Sequence, residues 1–75
     1  MTGNTEITNY QTRVLSALKT VGGYTPVTTE VIRLYLTGIY GYTTGVKVGN
    51  ALAQLRDRFG LVEGQDGSWK LKYVQ

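Results

Sequence analysis

The chain has 75 residues, 41% hydrophobic and 17% charged, with a formal net charge of +3 and a pI near 9.4, which describes one small globular domain. It contains neither cysteine nor histidine, which excludes disulfides, zinc–thiolate sites, thiol nucleophiles and the commonest general base. Five carboxylates remain (Glu6, Glu30, Asp57, Glu63 and Asp66), in no spacing that pairs two on one face for acid–base work, so no catalytic residue, metal or cofactor is expected.

A mildly basic balance suits an acidic partner such as nucleic acid. No apolar run approaches the ~18 residues that span a bilayer. The start, MTGNTEITNY, has neither the basic segment nor the apolar stretch of a secretory signal. A cytoplasmic protein with no membrane association is the expectation.

Residues 1–7 are small and polar and read as a flexible tail ahead of a domain over 8–75. Thr8 and Gln11 give the T-x-x-Q form of a capping box, a helix start in which each side chain satisfies a backbone donor. Tyr10, Val14, Leu18 and Val21 then follow helical spacing with Leu15 beside them, while Arg13, Ser16 and Lys19 fall on the other side. Gly22 and Gly23 end this first helix. Pro26 lacks an amide hydrogen, which limits residues 24–27 to a short edge strand. Thr28 is the N-cap of a second helix that turns Val31, Ile32, Tyr35 and Leu36 inward, and Gly38 and Gly41 are expected to cut it short.

Thr43 or Thr44 caps a third helix. At ~100° per residue, Val48, Leu52, Leu55 and Phe59 share a core face, and Lys47, Asn50, Ala51, Gln54 and Arg58 form a carboxylate-free stripe on the opposite side. Gly45 and Gly49 each cost about 1 kcal/mol relative to alanine inside a helix. A close crossing by another helix is the simplest compensation, and close backbone approach to a ligand is the other. Gly60 closes the helix. Leu61 and Val62 favour a strand, Asp66-Gly67 signals a hairpin turn, and residues 68–73 alternate. Trp69, Leu71 and Tyr73 take the packed face, Ser68, Lys70 and Lys72 the outer one.

Helix, short strand, helix, turn, helix, hairpin is the order of elements in the winged helix-turn-helix fold. The run VGNALAQLRDRFGLVE, residues 48–63, resembles that family's passage from recognition helix to wing, through Ala51-Leu52, Leu55 and Gly60-Leu61-Val62. The resemblance spans roughly residues 8–74 and implies an α+β fold of three helices plus a C-terminal β-hairpin wing, with a short edge strand between helices 1 and 2. It further implies that the third helix enters the major groove of double-stranded DNA. Base contacts then fall to Thr44, Lys47, Asn50 and Gln54, and phosphate contacts to Arg58, Lys70 and Lys72. Asn and Gln side chains can pair with adenine and Lys can reach guanine acceptors, while cations on the backbone supply sequence-independent affinity. Thr43 joins Thr44 as a hydroxyl at a helix N-terminus suited to phosphate. Tyr40 and Tyr42, flanking a glycine, read either as phosphate donors or as a protein-contact surface.

The implied function is a stand-alone DNA-binding factor, a transcriptional regulator or an accessory factor of recombination or replication, of the size that a virus or plasmid encodes. It would be nucleoid-associated when bound, and a homodimer if it occupies two half-sites. Two features depart from strong DNA binders: the short wing turn Gln65-Asp66-Gly67 carries an acid, and the third helix offers few outward cations. The alternative is a winged-helix protein-interaction module, an inhibitor or a subunit docking on a host or other complex protein, that binds no DNA. On that reading the polar stripe is a solvated helix face, and the alternating lysines merely protect an edge strand.

Overall fold

The computed structural model describes residues 7–65 and 67–72, Gln65 by its backbone. The N-terminal tail over residues 1–6, the acidic wing tip at Asp66 and the placement of Tyr73 lie outside the described residues. Within them the chain forms a small α+β domain, in the order α1 (Asn9–Val21), β1 (Val27–Thr28), α2 (Thr29–Tyr40), α3 (Gly45–Asp57), β2 (Val62–Gln65) and β3 (Ser68–Leu71). The strands make one antiparallel sheet with β3 in the middle, ordered β1-β3-β2.

Threonine starts every one of these helices. Thr8 Oγ1 accepts the Gln11 amide and Gln11 Oε1 accepts the Thr8 amide, both at 3.0 Å, completing the capping box. Thr28 and Thr44 accept the Val31 and Lys47 amides at 3.3 and 3.1 Å, so the cap of α3 is Thr44 and not Thr43. Each cap satisfies an amide that lacks an intrahelical partner. The second helix is longer than its glycines suggest: Gly38 stays helical, and α2 stops only at Gly41, whose φ of 102° lies outside the range open to other residues.

The core gathers Val14, Ala17 and Leu18 from α1, Ile32 and Leu36 from α2, Val48, Ala51, Leu52 and Leu55 from α3, and Val62 from β2. Three expectations change here. Val31 is 42% exposed, because the buried arc of α2 centres on Ile32 and Leu36 and leaves Val31 at its edge. Ala51 is buried, since α1 packs against that flank of α3. A Cβ placed on Gly45 or Gly49 would meet no described atom within 4 Å, so neither glycine makes room for a crossing helix. Phe59 lies past the end of α3 and is half-buried against the core.

The register places Val62 opposite Leu71 and Gly64 opposite Trp69 on the sheet's helix-facing side, with Glu63 opposite Lys70 on the outer side. The six-membered ring of Trp69 fills the space that a Cβ on Gly64 would need. Its indole N–H donates to Thr29 Oγ1 at 2.9 Å, and the Arg56 guanidinium lies 5.5 Å from its centroid. Trp69 thus ties the hairpin to α2 and α3, as a core plug does.

Candidate nucleic-acid interface

The direction in which α3 faces outward follows from its buried arc. Val48, Ala51, Leu52 and Leu55 are buried, and at about 100° per residue the opposite direction falls on Val46, Asn50, Ala53 and Asp57. Val46 is 73% exposed. The stripe of Lys47, Gln54 and Arg58 therefore runs along the flank of α3 nearer α1, about a quarter-turn from the outermost line. Val48, Leu52 and Leu55 alone already set that direction, and burial of Ala51 turns it by only about 20° further.

On that flank the side chains of α3 meet those of α1. Gln11, buried beneath its capping box, donates its amide to Gln54 Oε1. A Gln54 already accepting from inside the protein is poorly set for the paired donor and acceptor contact that adenine requires. Asn50, exposed on the outer line, has no such tie. A groove of about 250 Å³ runs between the two helices, and among the described residues it is lined by Thr8, Tyr10, Gln11, Lys47, Asn50, Ala51 and Gln54, none of them a carboxylate.

A second, smaller recess adjoins it where the connection 41–44 passes the start of α1. The Arg13 guanidinium stacks 4.6 Å from the centroid of Tyr40, and the Lys47 ammonium sits 5.2 Å from that of Tyr10. The Tyr10 and Thr43 hydroxyls are hydrogen-bonded at 2.6 Å, and Thr43 is buried. This corrects the placement of Thr43 at the surface: its hydroxyl belongs to the wall of the recess. Thr44 keeps its hydroxyl on the Lys47 amide as a cap. Tyr42, 80% exposed, forms the rim.

Arg58 caps the C-terminus of α3 and is exposed. The Lys72 amide donates to the Leu61 carbonyl at 3.1 Å, and Leu61 follows Arg58 by three residues, which sets Lys72 and Arg58 at the same end of the molecule. Lys70 differs, because Glu63 lies 3.7 Å from its ammonium and offsets its charge. The other two described carboxylates are also taken. Glu30 receives two hydrogen bonds from Arg33, and Asp57 two from Arg56. Those bonds hold both carboxyls below their ordinary titration range and raise both guanidinium groups. Among the described residues, Arg13, Lys19, Lys47, Arg58 and Lys72 form no ion pair, and no group of three or more carboxylates gathers to hold a metal.

Tyr10, Gln11 and Arg13 are the participants that sequence reasoning did not place at this surface. Gln11 announced itself only as a cap, and nothing in the linear pattern reports which helix α1 packs beside. No described helix is long and apolar enough to cross a membrane. No family model matches the chain, and neither does any curated protein or solved structure.

Proposed function

We propose that this chain is a winged-helix protein that binds duplex DNA, with α3 directed into the major groove and the β2–β3 hairpin alongside as the wing. The element order and the central position of β3, with β1 as a short third strand, support the winged-helix reading. The observation that carries the DNA reading is the surface from α1 across the flank of α3, which among the described residues holds no carboxylate and exposes Lys47 and Asn50. Asn50 on the outer line takes the base-reading role, with Thr44 and Lys47 at the helix start. Gln54 becomes a positioning residue. Arg58 and Lys72 supply phosphate contacts at the far end, and Lys70 contributes less because Glu63 neutralises it. Regulation of transcription, or assistance to recombination or replication, is the biological role this binding would serve.

Fluorescence anisotropy of a labelled random duplex across a salt series tests the reading. The expected result is affinity that falls log-linearly with salt, with a slope of ~0.9 per phosphate neutralised. No binding at low salt would sink it.

A second reading has its own support. Val31, Leu34 and Ile39 of α2, with Val46 of α3, are large exposed hydrophobics. Such residues fit a protein-interaction module better than a DNA reader. Retention of a partner protein that is lost on Leu34→Asp, together with absent DNA binding, would favour this module.

A further inference from the structure

We infer that the recess between α1 and the α2–α3 connection is a phosphate-binding site, built by Arg13, Lys47 and the Tyr10–Thr43 hydroxyl pair. It lies off the outermost line of α3, and the DNA reading gives Arg13 itself no role. Where the phosphate belongs to a duplex backbone, the inference rests on that reading. Where it belongs to a free phosphate monoester, it does not.

The recess encloses about 160 Å³ and is lined by Tyr10, Arg13, Leu36, Tyr40, Tyr42, Thr43 and Lys47, with Gly41 between the tyrosines. One water needs only about 10–15 Å³ of such space, so the recess has room to admit a phosphate group. Two cations face it from different elements, Arg13 from α1 and Lys47 from α3, and no carboxylate among the described residues lines it. Each is held against an aromatic face, Arg13 on Tyr40 and Lys47 on Tyr10. Stacking fixes the plane of a guanidinium while leaving its edge N–H groups free, the arrangement that takes two phosphate oxygens at once. The lysine ammonium likewise keeps donors that a ring face does not consume.

The hydroxyl pair adds a neutral donor. Tyr10 and Thr43 share one hydrogen bond at 2.6 Å, and whichever oxygen donates, the hydrogen of the other remains for a ligand. The charge arithmetic agrees with an anion here. Each described carboxylate is matched to Arg33, Arg56 or Lys70, so among the described residues no carboxylate compensates Arg13 or Lys47, which share one cavity.

The test is a ¹H–¹⁵N NMR titration of the full chain with inorganic phosphate, with a 5′-mononucleotide and with a short duplex, at matched chloride concentration. The expected result is saturable shifts at Arg13 and residues 40–44, abolished in Arg13→Gln and restored in part by Arg13→Lys. The duplex affinity of Arg13→Gln should fall at least ~10-fold, as for removal of a charged hydrogen bond. Shifts with phosphate or mononucleotide assign a free-ligand site, even if the duplex does not bind. Shifts with duplex alone assign a backbone site. The spectrum of each variant reports its own fold, and Lys47→Gln provides an independent second removal. Absence of saturable shifts at the recess with all three ligands, or shifts that persist in both variants, would overturn the inference, even if duplex binds elsewhere.

Discussion

At Gly49, halfway along α3, an added methyl group would meet no described atom within 4 Å. Its backbone is helical, so alanine would fit without strain and recover the intrinsic cost of glycine, about 1 kcal/mol. Gly49→Ala should therefore raise the unfolding midpoint by ~4–8 °C in a domain of this size. If α3 approaches DNA as proposed, the same substitution weakens duplex binding, because the added methyl stands on the exposed flank of the helix. Greater stability together with unchanged affinity would show that Gly49 has no part in contact. Gly64 is the opposite case, since the ring of Trp69 occupies the volume of its missing Cβ. Gly64→Ala should destabilise by ~1–3 kcal/mol, the usual cost of overpacking, and shift the emission of Trp69, the chain's single tryptophan. Both glycines look alike in the sequence. What separates them is the neighbour across the sheet or across the helix, which no local pattern records.

Elements declared themselves in the sequence where their signals are local. The threonine caps at Thr8 and Thr28, the glycine stop at Gly41 and the alternation around Trp69 are each set by residues within a few positions, and the α+β arrangement followed from them. The facing of α3 was less legible, because Ala51 is small enough to lie on either side of a polar boundary. Its burial against α1 widens the core arc on the flank that carries Gln54, while the outward line runs along Val46, Asn50 and Ala53. That difference in facing separates two amides that look equivalent in sequence. Asn50→Ala should leave stability nearly unchanged and erode discrimination between duplex sequences by about 1–3 kcal/mol, the worth of a good base contact. Gln54→Ala should do the reverse. It strips the buried Gln11 amide of its acceptor, which costs ~1–3 kcal/mol of stability, and leaves sequence discrimination largely intact. Thermal unfolding and competition anisotropy on both variants decide the matter, and poorer discrimination in Gln54→Ala alone would reverse the assignment.

Over the whole molecule, the distribution of charge matters more than its sum of +3. With Glu30, Asp57 and Glu63 each tied to a neighbouring cation, the unpaired charges among the described residues are Arg13, Lys19, Lys47, Arg58 and Lys72. Arg58, at the C-terminal cap of α3, stands about 16 Å along the helix axis from Lys47 by helical rise, and the Lys72 backbone is bonded to Leu61, three residues beyond Arg58. Replacing Arg58 and Lys72 with alanine should weaken all duplexes alike and lower the salt slope by ~0.9 for each phosphate that is no longer neutralised. The field of the unpaired charges should be insensitive to mild acid. The chain has no histidine, whose side chain is the one that ordinarily changes charge across this range, so duplex affinity should stay level from about pH 5 to 7. Stability behaves differently in stronger acid. Arg33 and Arg56 hold the Glu30 and Asp57 carboxyls below their ordinary values of 4.5 and 3.8, so the unfolded chain binds protons before the folded one does. Their contribution is present above those ordinary values and is lost as pH falls through the lower folded ones. Both carboxylates are exposed, so solvent screening keeps the effect small. Glu30→Gln together with Asp57→Asn should flatten the acid limb of a stability–pH curve and leave duplex affinity at neutral pH no weaker than before. A marked drop in duplex affinity in that double variant would mean that the pairs Glu30–Arg33 and Asp57–Arg56 orient the binding surface, and do not merely neutralise one another's charge.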